Sequence, residues 1–342
     1  MASGAPIEIL DLRHFAAPVL RPLLEAEGVV WSRRLHWDYR VSTNLLMQYL
    51  DNRMLPGYAA VDAGQVTGYT FCVYEDTKAV IGDLFALPGL RTEENLALEV
   101  QTGGVRTREL TAHEVEEMLL HHLLELLLNS PHVDRVESQL LMHPAGSHAG
   151  VFLDAGFEIY RRLFMVRSLE GFFAGPHVKL PAGLELRPWR EDDLPAAARL
   201  IAAAYNRHPD GVVNDQYRSA HGSLRFLNNI VRYAGCGVFA APVSHTIVDH
   251  VSREMVGLVL ASRVSPQSGH ITQICVHPDF RRRGVARMLL TLAASCFLRQ
   301  GVSEISLTVT EANREAIELY RAEGFDCTHK FDAAVWQRGR VA

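Results

Sequence analysis

The order of predicted strands and helices in the second half of the chain recurs, in part, in the first half. Residues 66–74 (VTGYTFCVY) are similar to 255–264 (MVGLVLASRV), and residues 151–157 (VFLDAGF) are similar to 319–325 (LYRAEGF). Between these segments each half carries an apolar strand that ends at a proline, an amphipathic helix and a further strand. The pattern predicts an α/β (α+β, mixed-sheet) fold built as two lobes of similar plan.

The length of the chain agrees with two lobes. A chain of 342 residues is about right for two domains of roughly 100–200 residues each. We predict a first lobe over 1–170, a linker rich in glycine and proline over 171–182, and a second lobe over 183–342. The surplus length of the first lobe falls at 89–111, which we interpret as an insertion.

Composition excludes several classes of protein. Apolar residues make up 48% and charged residues 21%, which predicts a folded chain with a real core. The net charge of −5 favours neither nucleic acid nor an anionic membrane as a partner. The most apolar stretches, near 118–128 and 288–298, fall short of the ~20 residues of a membrane span. Charged residues within the first thirty break any signal-peptide core, so we expect a cytoplasmic location.

The cysteines and histidines give no recognisable metal or disulfide pattern. The five cysteines, an odd number without a C-x-x-C pair, predict reduced thiols; they are Cys72, Cys236, Cys275, Cys296 and Cys327. The neighbouring His121 and His122 diverge by ~100° on a helix, and His143 and His148 flank a loop without a cysteine partner. There is no H-E-x-x-H motif, and we predict no metal.

The strongest local signal lies at 276–286 (VHPDFRRRGVA), between a predicted strand and an amphipathic helix. Small residues at Gly284 and Ala286 allow a ligand close to the backbone, and the start of a helix offers free N–H groups to an anion. Three arginines at 281–283 add charge-assisted donors. The segment matches neither the P-loop nor the G-x-G-x-x-G pattern. A basic surface turn accounts for the same spacing.

A second signal is N-x-x-A-x-x-L-Y-x-x-x-G-F from Asn313 to Phe325. Asn313 and Tyr320 are two helical turns apart and lie near one face, with the small Ala316 between them. The Tyr320 phenol can give a proton to a departing anion. Alternatively, Asn313 caps the helix and Tyr320 is a packed core aromatic.

Together the two segments resemble the GNAT family of acetyl-CoA-dependent N-acetyltransferases. Arg281-x-x-Gly284-x-Ala286 fits the family's Q/R-x-x-G-x-G/A loop, and the N-x-x-A…L-Y…G-F motif follows at a typical separation. The opening LRP at 186–188 and EDDL at 191–194 are similar to the family's first strand and helix. The resemblance covers nearly all of 183–336. Over 1–170 it is architectural.

The resemblance implies a site for acetyl-CoA as co-substrate. The diphosphate would rest on the loop, the pantetheine arm would pair with the preceding strand, and a backbone N–H there would polarise the thioester carbonyl. An amine would attack directly, and Tyr320 would protonate the leaving thiolate. The acceptor pocket would lie near 206–233. The implied cofactor contacts are Ile274, Cys275, Val276, Arg281, Arg282, Arg283, Gly284, Val285, Ala286 and Asn313.

The general base is left open by the sequence. His270 stands where some relatives carry a glutamate and has a suitable ordinary pKa. Thr308 stands where others carry one, and Glu311 or a chain of ordered waters would serve as well. His270 also fits an exposed histidine at a strand start. An acyl-enzyme at Cys275 is disfavoured, because a small buried thiol on a strand is commoner than a nucleophile.

The first lobe lacks the residues that the resemblance makes functional. Glu94, Ala145 and Phe152 stand where Gly284, Asn313 and Tyr320 stand in the second lobe. We therefore expect the first lobe to bind no CoA and to shape a substrate cleft or shield apolar surface. One group of its residues fits either a substrate wall or the core, and we favour the core; the group comprises Trp31, His36, Trp37, Tyr39 and Tyr49.

Two functions fit these observations. One is an enzyme, acting on a small-molecule or peptide amine as a monomer or homodimer. The other is a non-catalytic acyl-CoA sensor or scaffold.

Overall fold

A computed structural model describes residues 7–87, 110–172, 180–233 and 237–339. Most of the predicted insertion, including Glu94, and most of the predicted linker lie outside the described residues, as does Cys236. The strands are β1 (Glu8–Asp11), β2 (Gly57–Asp62), β3 (Gln65–Glu75), β4 (Lys78–Ala86), β5 (Arg135–Gln139), β6 (Glu158–Ser168), β7 (Leu184–Pro188), β8 (Val238–Phe239), β9 (His245–Asp249), β10 (Met255–Arg263), β11 (Ser268–Val276), β12 (Glu304–Thr310) and β13 (Asp326–Gln337). The α-helices are α1 (Ala17–Leu35), α2 (Arg40–Asp51), α3 (Ala112–Asn129), α4 (Ala149–Asp154), α5 (Leu194–Ala204), α6 (Asp210–Val213), α7 (Ala220–Arg232), α8 (Val285–Arg299) and α9 (Arg314–Ala322).

The chain divides into two compact units. The first takes its described residues from 7–30, 43–159 and 333–339, and the second from 31–42 and 160–332. Both units contain strands and helices in the predicted α/β pattern, and the predicted mixed sheet is confirmed because parallel and antiparallel pairs occur in each.

The first unit is built on antiparallel β1, β2, β3 and β4, with β5 added in parallel to β4. The parallel step needs a crossover, and α3 supplies it. Thr111 and Glu114 begin α3 with a capping box, in which each side chain accepts a hydrogen bond from the other's backbone N–H. The leucine-rich face of α3, which includes Leu119 and Leu123, is fully buried.

The second unit is built on a sheet in the order β6-β12-β11-β10-β9-β7, with β8 also on β10. Only β11 and β12 are parallel, and α8 is the helix that connects them. Phe297 on α8 packs closely against β11, where a Cβ at Gly269 would lie 2.6 Å from the Phe297 ring. Helices α5 and α7 bury a second apolar cluster that includes Ile201 and Leu227.

Each half of the sequence ends in a strand that pairs with a strand from the other half. β6, from the first half, pairs with β12 over 162–168. Residues 333–337 of β13 pair with β5. The contact-based units therefore differ from the linear lobes 1–170 and 183–342, because a repeat shows which elements recur but not which edge each last strand joins. The assignment of a degenerate and a catalytic lobe stays a prediction.

The segment 31–42 belongs to the second unit although it comes early in the chain. The Asp38 amide donates to the Val264 carbonyl at 2.7 Å. Trp31 and Trp37 are buried, as expected, whereas Tyr49 on α2 is 39% exposed and His36 is also exposed, so neither of these two is a core residue. None of the described helices combines the length and apolar composition that crossing a bilayer requires.

Candidate active site

A cavity of about 540 Å³ lies in the second unit, at the carboxyl ends of β11 and β12. The two strands pair in parallel only as far as Ile271 and Leu307. β11 then continues to Val276 and β12 to Thr310, and residues of both parted ends line the cavity. The parted ends expose strand edges to any ligand that enters the cavity.

A β-bulge separates the two strands. The register between β10 and β11 shifts by one residue, and Thr272 is the extra residue on β11. The Thr272 hydroxyl donates to the Leu260 carbonyl at 3.0 Å. A bulge bends and twists its strand, whereas β12 keeps its antiparallel pairing with β6 as far as Thr310. β11 therefore turns away from β12 directly after their last paired residues.

The turn between β11 and α8 presents main-chain amides to the cavity. Gly284, immediately before α8, has φ +79°, and a Cβ there would meet no atom within 4 Å, so conformation rather than space requires glycine. Residues 284–287 line the cavity. The first amides of a helix have no intrahelical partner and carry the positive end of its dipole. Such a turn is suited to binding an anion, and its use for a diphosphate stays a prediction.

The three arginines of this turn have different environments. Arg281 donates to the Ala204 carbonyl at 2.7 Å and to the Val276 carbonyl at 3.4 Å, so it braces the turn against α5 and β11. Arg282 lines the cavity. The Arg283 guanidinium lies 4.9 Å from the centre of the Phe280 ring and does not line the cavity. Of the three arginines expected to contact the cofactor, Arg281 and Arg282 line the cavity and Arg283 does not.

The strand expected to hold the pantetheine arm contributes Ile274, Cys275 and Val276 to the cavity wall. The Ile274 N–H donates to Gln273 Oε1 at 2.9 Å, so this amide is already occupied. Burial raises the pKa of the Cys275 thiol, which keeps it protonated and argues against an acyl-cysteine.

Asn313 and Tyr320 both line the cavity. The Asn313 side chain also accepts from the Ala316 N–H at 3.3 Å, so it caps α9. Tyr320 is 8% exposed. The pKa of Tyr320 is raised well above that of a free phenol, mainly by burial and to a smaller extent by the negative charge of the nearby Asp210. The phenol is therefore protonated at neutral pH and has a proton to give.

His270 does not reach the cavity. Its ring lies 5.0 Å from that of Trp37 and is stacked on Phe164, and its Nδ1 is 2.9 Å from Ser306 Oγ. Burial lowers the pKa of His270 to about 3. The structure therefore contradicts both the proposed base and the alternative of an exposed histidine. Glu311, the other candidate, pairs with Lys330 at 2.9 Å outside the cavity lining.

The cavity also contains a polar group that sequence reasoning missed. Asp210, the first residue of α6, is 8% exposed and accepts from the Thr310 hydroxyl. Arg162 Nη1 lies 3.9 Å from its Oδ1, and His208 Nδ1 lies 3.5 Å from its Oδ2. Asp210 and His208 fall in the segment 206–233 expected to form an acceptor pocket, and both line the cavity.

Gln273 is the second missed residue. It is 5% exposed, and its Oε1 accepts from the Tyr205 hydroxyl at 3.0 Å as well as from Ile274 N–H. Its Nε2 is buried without a partner among the described residues. The fixed oxygen leaves an amide N–H₂ available to a ligand in the cavity.

The corresponding positions of the first half carry no such groups. Phe152 is buried and packs edge-on against Phe157, with 5.1 Å between the ring centres. Neither Phe152 nor Ala145 has a side chain that can donate a proton. The expected absence of CoA binding in the first lobe stays a prediction.

Residues 202–325 match the family model described as acetyltransferase (GNAT) family. The second half of the chain therefore carries a domain of the GNAT family, as the resemblance predicted. The match includes the turn before α8 and the helix α9, so the two principal motifs lie inside it, whereas the segments at 186–188 and 191–194 precede it.

Among curated relatives, the chain is similar to mycothiol acetyltransferases. It is 27% identical to that of Propionibacterium freudenreichii over 151 residues, covering 44% of this chain and 46% of the relative. It is 25% identical to that of Renibacterium salmoninarum over 219 residues, covering 59% of each. The chain spans between about half and three fifths of the length of the curated relatives it matches.

Two solved structures share the fold over nearly the whole chain. A GCN5-related N-acetyltransferase from Sphaerobacter thermophilus aligns with a TM-score of 0.61 at 15% identity, covering 98% of this chain and 97% of that one. A tandem GNAT protein from the clavulanic acid biosynthesis pathway aligns with a TM-score of 0.58 at 14% identity, covering 98% and 100%. The predicted tandem fold class is confirmed.

The buried state of His270 predicts a pH dependence of stability. The pKa of His270 is about 3 in the folded protein and has the ordinary value of 6.5 in the unfolded chain. Because the unfolded chain takes up this proton at a higher pH than the folded protein does, stability falls as the pH drops below 6.5. The contribution of His270 amounts to about 2 kcal/mol by pH 5. Urea unfolding at pH 7 and pH 5 should show a smaller loss in His270→Gln than in the wild type. The exposed His121→Gln variant is the control, and equal losses in all three proteins would contradict the burial of His270.

Proposed function

We propose that this protein is an N-acetyltransferase that moves an acetyl group from acetyl-CoA directly to the amine of a small molecule or peptide. The observation that carries the proposal is one cavity lined by the amide-rich turn at 284–287, by the parted strand end at 274–276 and by the protonated Tyr320. These are the groups that must hold a diphosphate, guide an acyl-pantetheine arm and protonate a thiolate.

The turn before α8 would hold the diphosphate of CoA through its main-chain amides, with Arg282 adding charge. The pantetheine arm would lie along the unpaired edge of β11. The residues fit this cofactor, because Gly284 provides the left-handed conformation that aims the amides and leaves the space beside it open. When bound, acetyl-CoA supplies the activated acyl group.

Asp210 would hold the acceptor. A buried carboxylate in the same cavity attracts the ammonium form of an amine, and Asp210 is close enough to Tyr320 to raise the pKa of the phenol. The bound ammonium would first give one proton to Asp210 and become the neutral amine. The amine nitrogen would then bond to the thioester carbon as the C–S bond breaks, and Tyr320 would protonate the leaving sulfur. The second proton that the nitrogen loses would restore the Tyr320 phenol.

Gln273 would stabilise the oxyanion. Oxyanion stabilisation requires a fixed N–H donor aimed into a dry site. A backbone N–H near 274–276 was expected in this role, and of these the Ile274 N–H is occupied. Tyr205 and the Ile274 amide both fix Gln273 Oε1, which orients the unpartnered Nε2. The side-chain amide of Gln273 therefore replaces the backbone donor.

The chemistry belongs, in this proposal, to the second unit, with the first unit structural or substrate-shaping. The names of the relatives, mycothiol acetyltransferases, support a small-molecule amine as acceptor. The unpatterned cysteines, which predict reduced thiols, support a cytoplasmic location.

An acyl-CoA sensor without catalysis is the second candidate. The bonded Ile274 N–H favours it, because the expected backbone donor is not free. Tight binding of acetyl-CoA, with no release of CoA in the presence of any member of an amine library, would support the sensor over the enzyme.

Replacing Tyr320 with Phe should lower kcat by about 10²–10⁴-fold, since the variant has no proton for the leaving thiolate. The affinity for acetyl-CoA should be unchanged. CoA release measured with a thiol reagent gives kcat, and calorimetry gives the affinity. Gly284→Glu is the matched variant of the turn, and it should lose affinity for acetyl-CoA. The new side chain strains the left-handed backbone and places a negative charge beside the diphosphate. Undiminished turnover in Tyr320→Phe would remove the phenol from the mechanism.

Replacing Asp210 with Asn should raise the KM for the amine about tenfold or more, with acetyl-CoA affinity preserved. The change removes the charge that attracts an ammonium group and keeps the shape of the side chain. Initial rates at varied amine concentration test this, with the exposed Asp192→Asn as control. A variant with the KM of the wild type would show that the acceptor binds elsewhere.

Replacing Gln273 with Glu should lower kcat by about 10²–10³-fold, because an acceptor oxygen takes the place of the donor N–H₂. The exposed Gln267→Glu carries the same change of charge outside the cavity and should retain kcat. The same CoA-release assay measures both. If Gln273→Glu kept full kcat, the oxyanion donor would have to be another group.

A further inference from the structure

Three histidines and a glutamate converge in the first unit. His113 and Glu116 are three residues apart in the first turns of α3, and His148 immediately precedes α4. One ligand atom from each of these three side chains lies within 4.8 Å of the others. His143, in the preceding loop, contacts the same group from one side, with its ring centre 4.7 Å from that of His148.

The centre of this cluster is buried and incompletely paired. The His148 side chain is 3% exposed, and its Nδ1 has no partner among the described residues. Its Nε2 lies 3.3 Å from Glu116 Oε2 and 3.2 Å from His143 Nδ1. A buried polar atom without a partner costs stability and calls for an unseen ligand or water. With the ring proton on Nε2, the Nδ1 lone pair of this buried imidazole is left for a ligand.

The surrounding hydrogen bonds are those of a supported metal site. His143 Nε2 lies 2.7 Å from the Leu84 carbonyl, and the Ala86 N–H donates to Glu116 Oε1 at 3.3 Å. Metal-binding imidazoles are oriented by such contacts to carboxylates and backbone carbonyls. His113 is about half-exposed, so its ring can rotate toward the other two and leave an entry path for an ion.

We propose that His113, Glu116 and His148 bind one zinc ion, with His143 orienting His148. Two imidazoles and a carboxylate are a donor set that zinc accepts, and three protein ligands leave one position for water. A divalent cation also offsets the charge of the buried Glu116 carboxylate. Bound zinc ties the start of α3 to the start of α4 and stabilises the first unit.

The earlier expectation of no metal rested on the pairs His121–His122 and His143–His148. His143 and His148 alone make a poor site. The fold adds His113 and Glu116 from a helix that sequence spacing does not connect to them, and the cluster makes no use of His121 or His122.

The test is zinc binding by the full chain after removal of metal with a chelator. Zinc chloride is titrated in competition with a chromogenic chelator, and thermal unfolding is followed in parallel. We expect one equivalent of zinc and a higher midpoint of unfolding with zinc present. His113→Asn should weaken binding at least tenfold and abolish the shift of the midpoint. His121→Asn, an exposed histidine on the same helix outside the cluster, should behave as the wild type.

His113→Asn is the decisive variant, because its half-exposed side chain can be replaced without disturbing the core. Glu116→Gln should give the same loss if it folds. Absence of a tight equivalent in the wild type, or equal affinity in wild type and His113→Asn, would overturn the proposal. Equal weakening by His113→Asn and His121→Asn would overturn it too, since it would indicate binding by surface histidines.

Discussion

The geometry of the cavity depends on the end of pairing between β11 and β12. The extra residue Thr272 bends β11 away, while β6 holds β12 in place. Backbone groups that a regular sheet would have consumed are left facing a cavity rather than another strand. The start of α8 and the face of α9 open on the same space. The one-residue shift in register between β10 and β11 thus creates the cleft and determines which side chains line it.

Charge within the cleft is divided between main chain and side chains. The turn before α8 offers positive ends of peptide dipoles together with Arg282, which suits a polyanionic cofactor. Asp210 offers the opposite sign and suits a cationic amine. Arg281, which the sequence made the first residue of the anion motif, is bonded to the carbonyls of Ala204 and Val276. Its charge shapes the turn, and in the proposed function the amides of the turn bind the diphosphate.

Sequence reasoning predicted the regular parts of this site well. The strand before the turn at 276–286 and the helix after it are present as predicted, and Tyr320 and Gly284 both line the cavity. It failed where a single irregular residue decides the outcome. His270 faces Trp37 because the bulge in β11 decides which side chains lie on each face of the sheet, and no residue type in the sequence predicts that bulge. Asp210 lies on a four-residue helix too short for a periodic signal. The convergence of His113 with His148 is set by packing of distant segments.

The exchanged last strands limit how far either half of the chain can exist alone. A fragment that begins at the linker would lack β6, which covers the whole length of β12. The uncovered edge would present a row of unpaired amides and carbonyls beside the cleft, and such an edge promotes aggregation. The two halves therefore depend on each other: a chain with the second half alone would keep every group proposed for catalysis and lose the strand that supports β12.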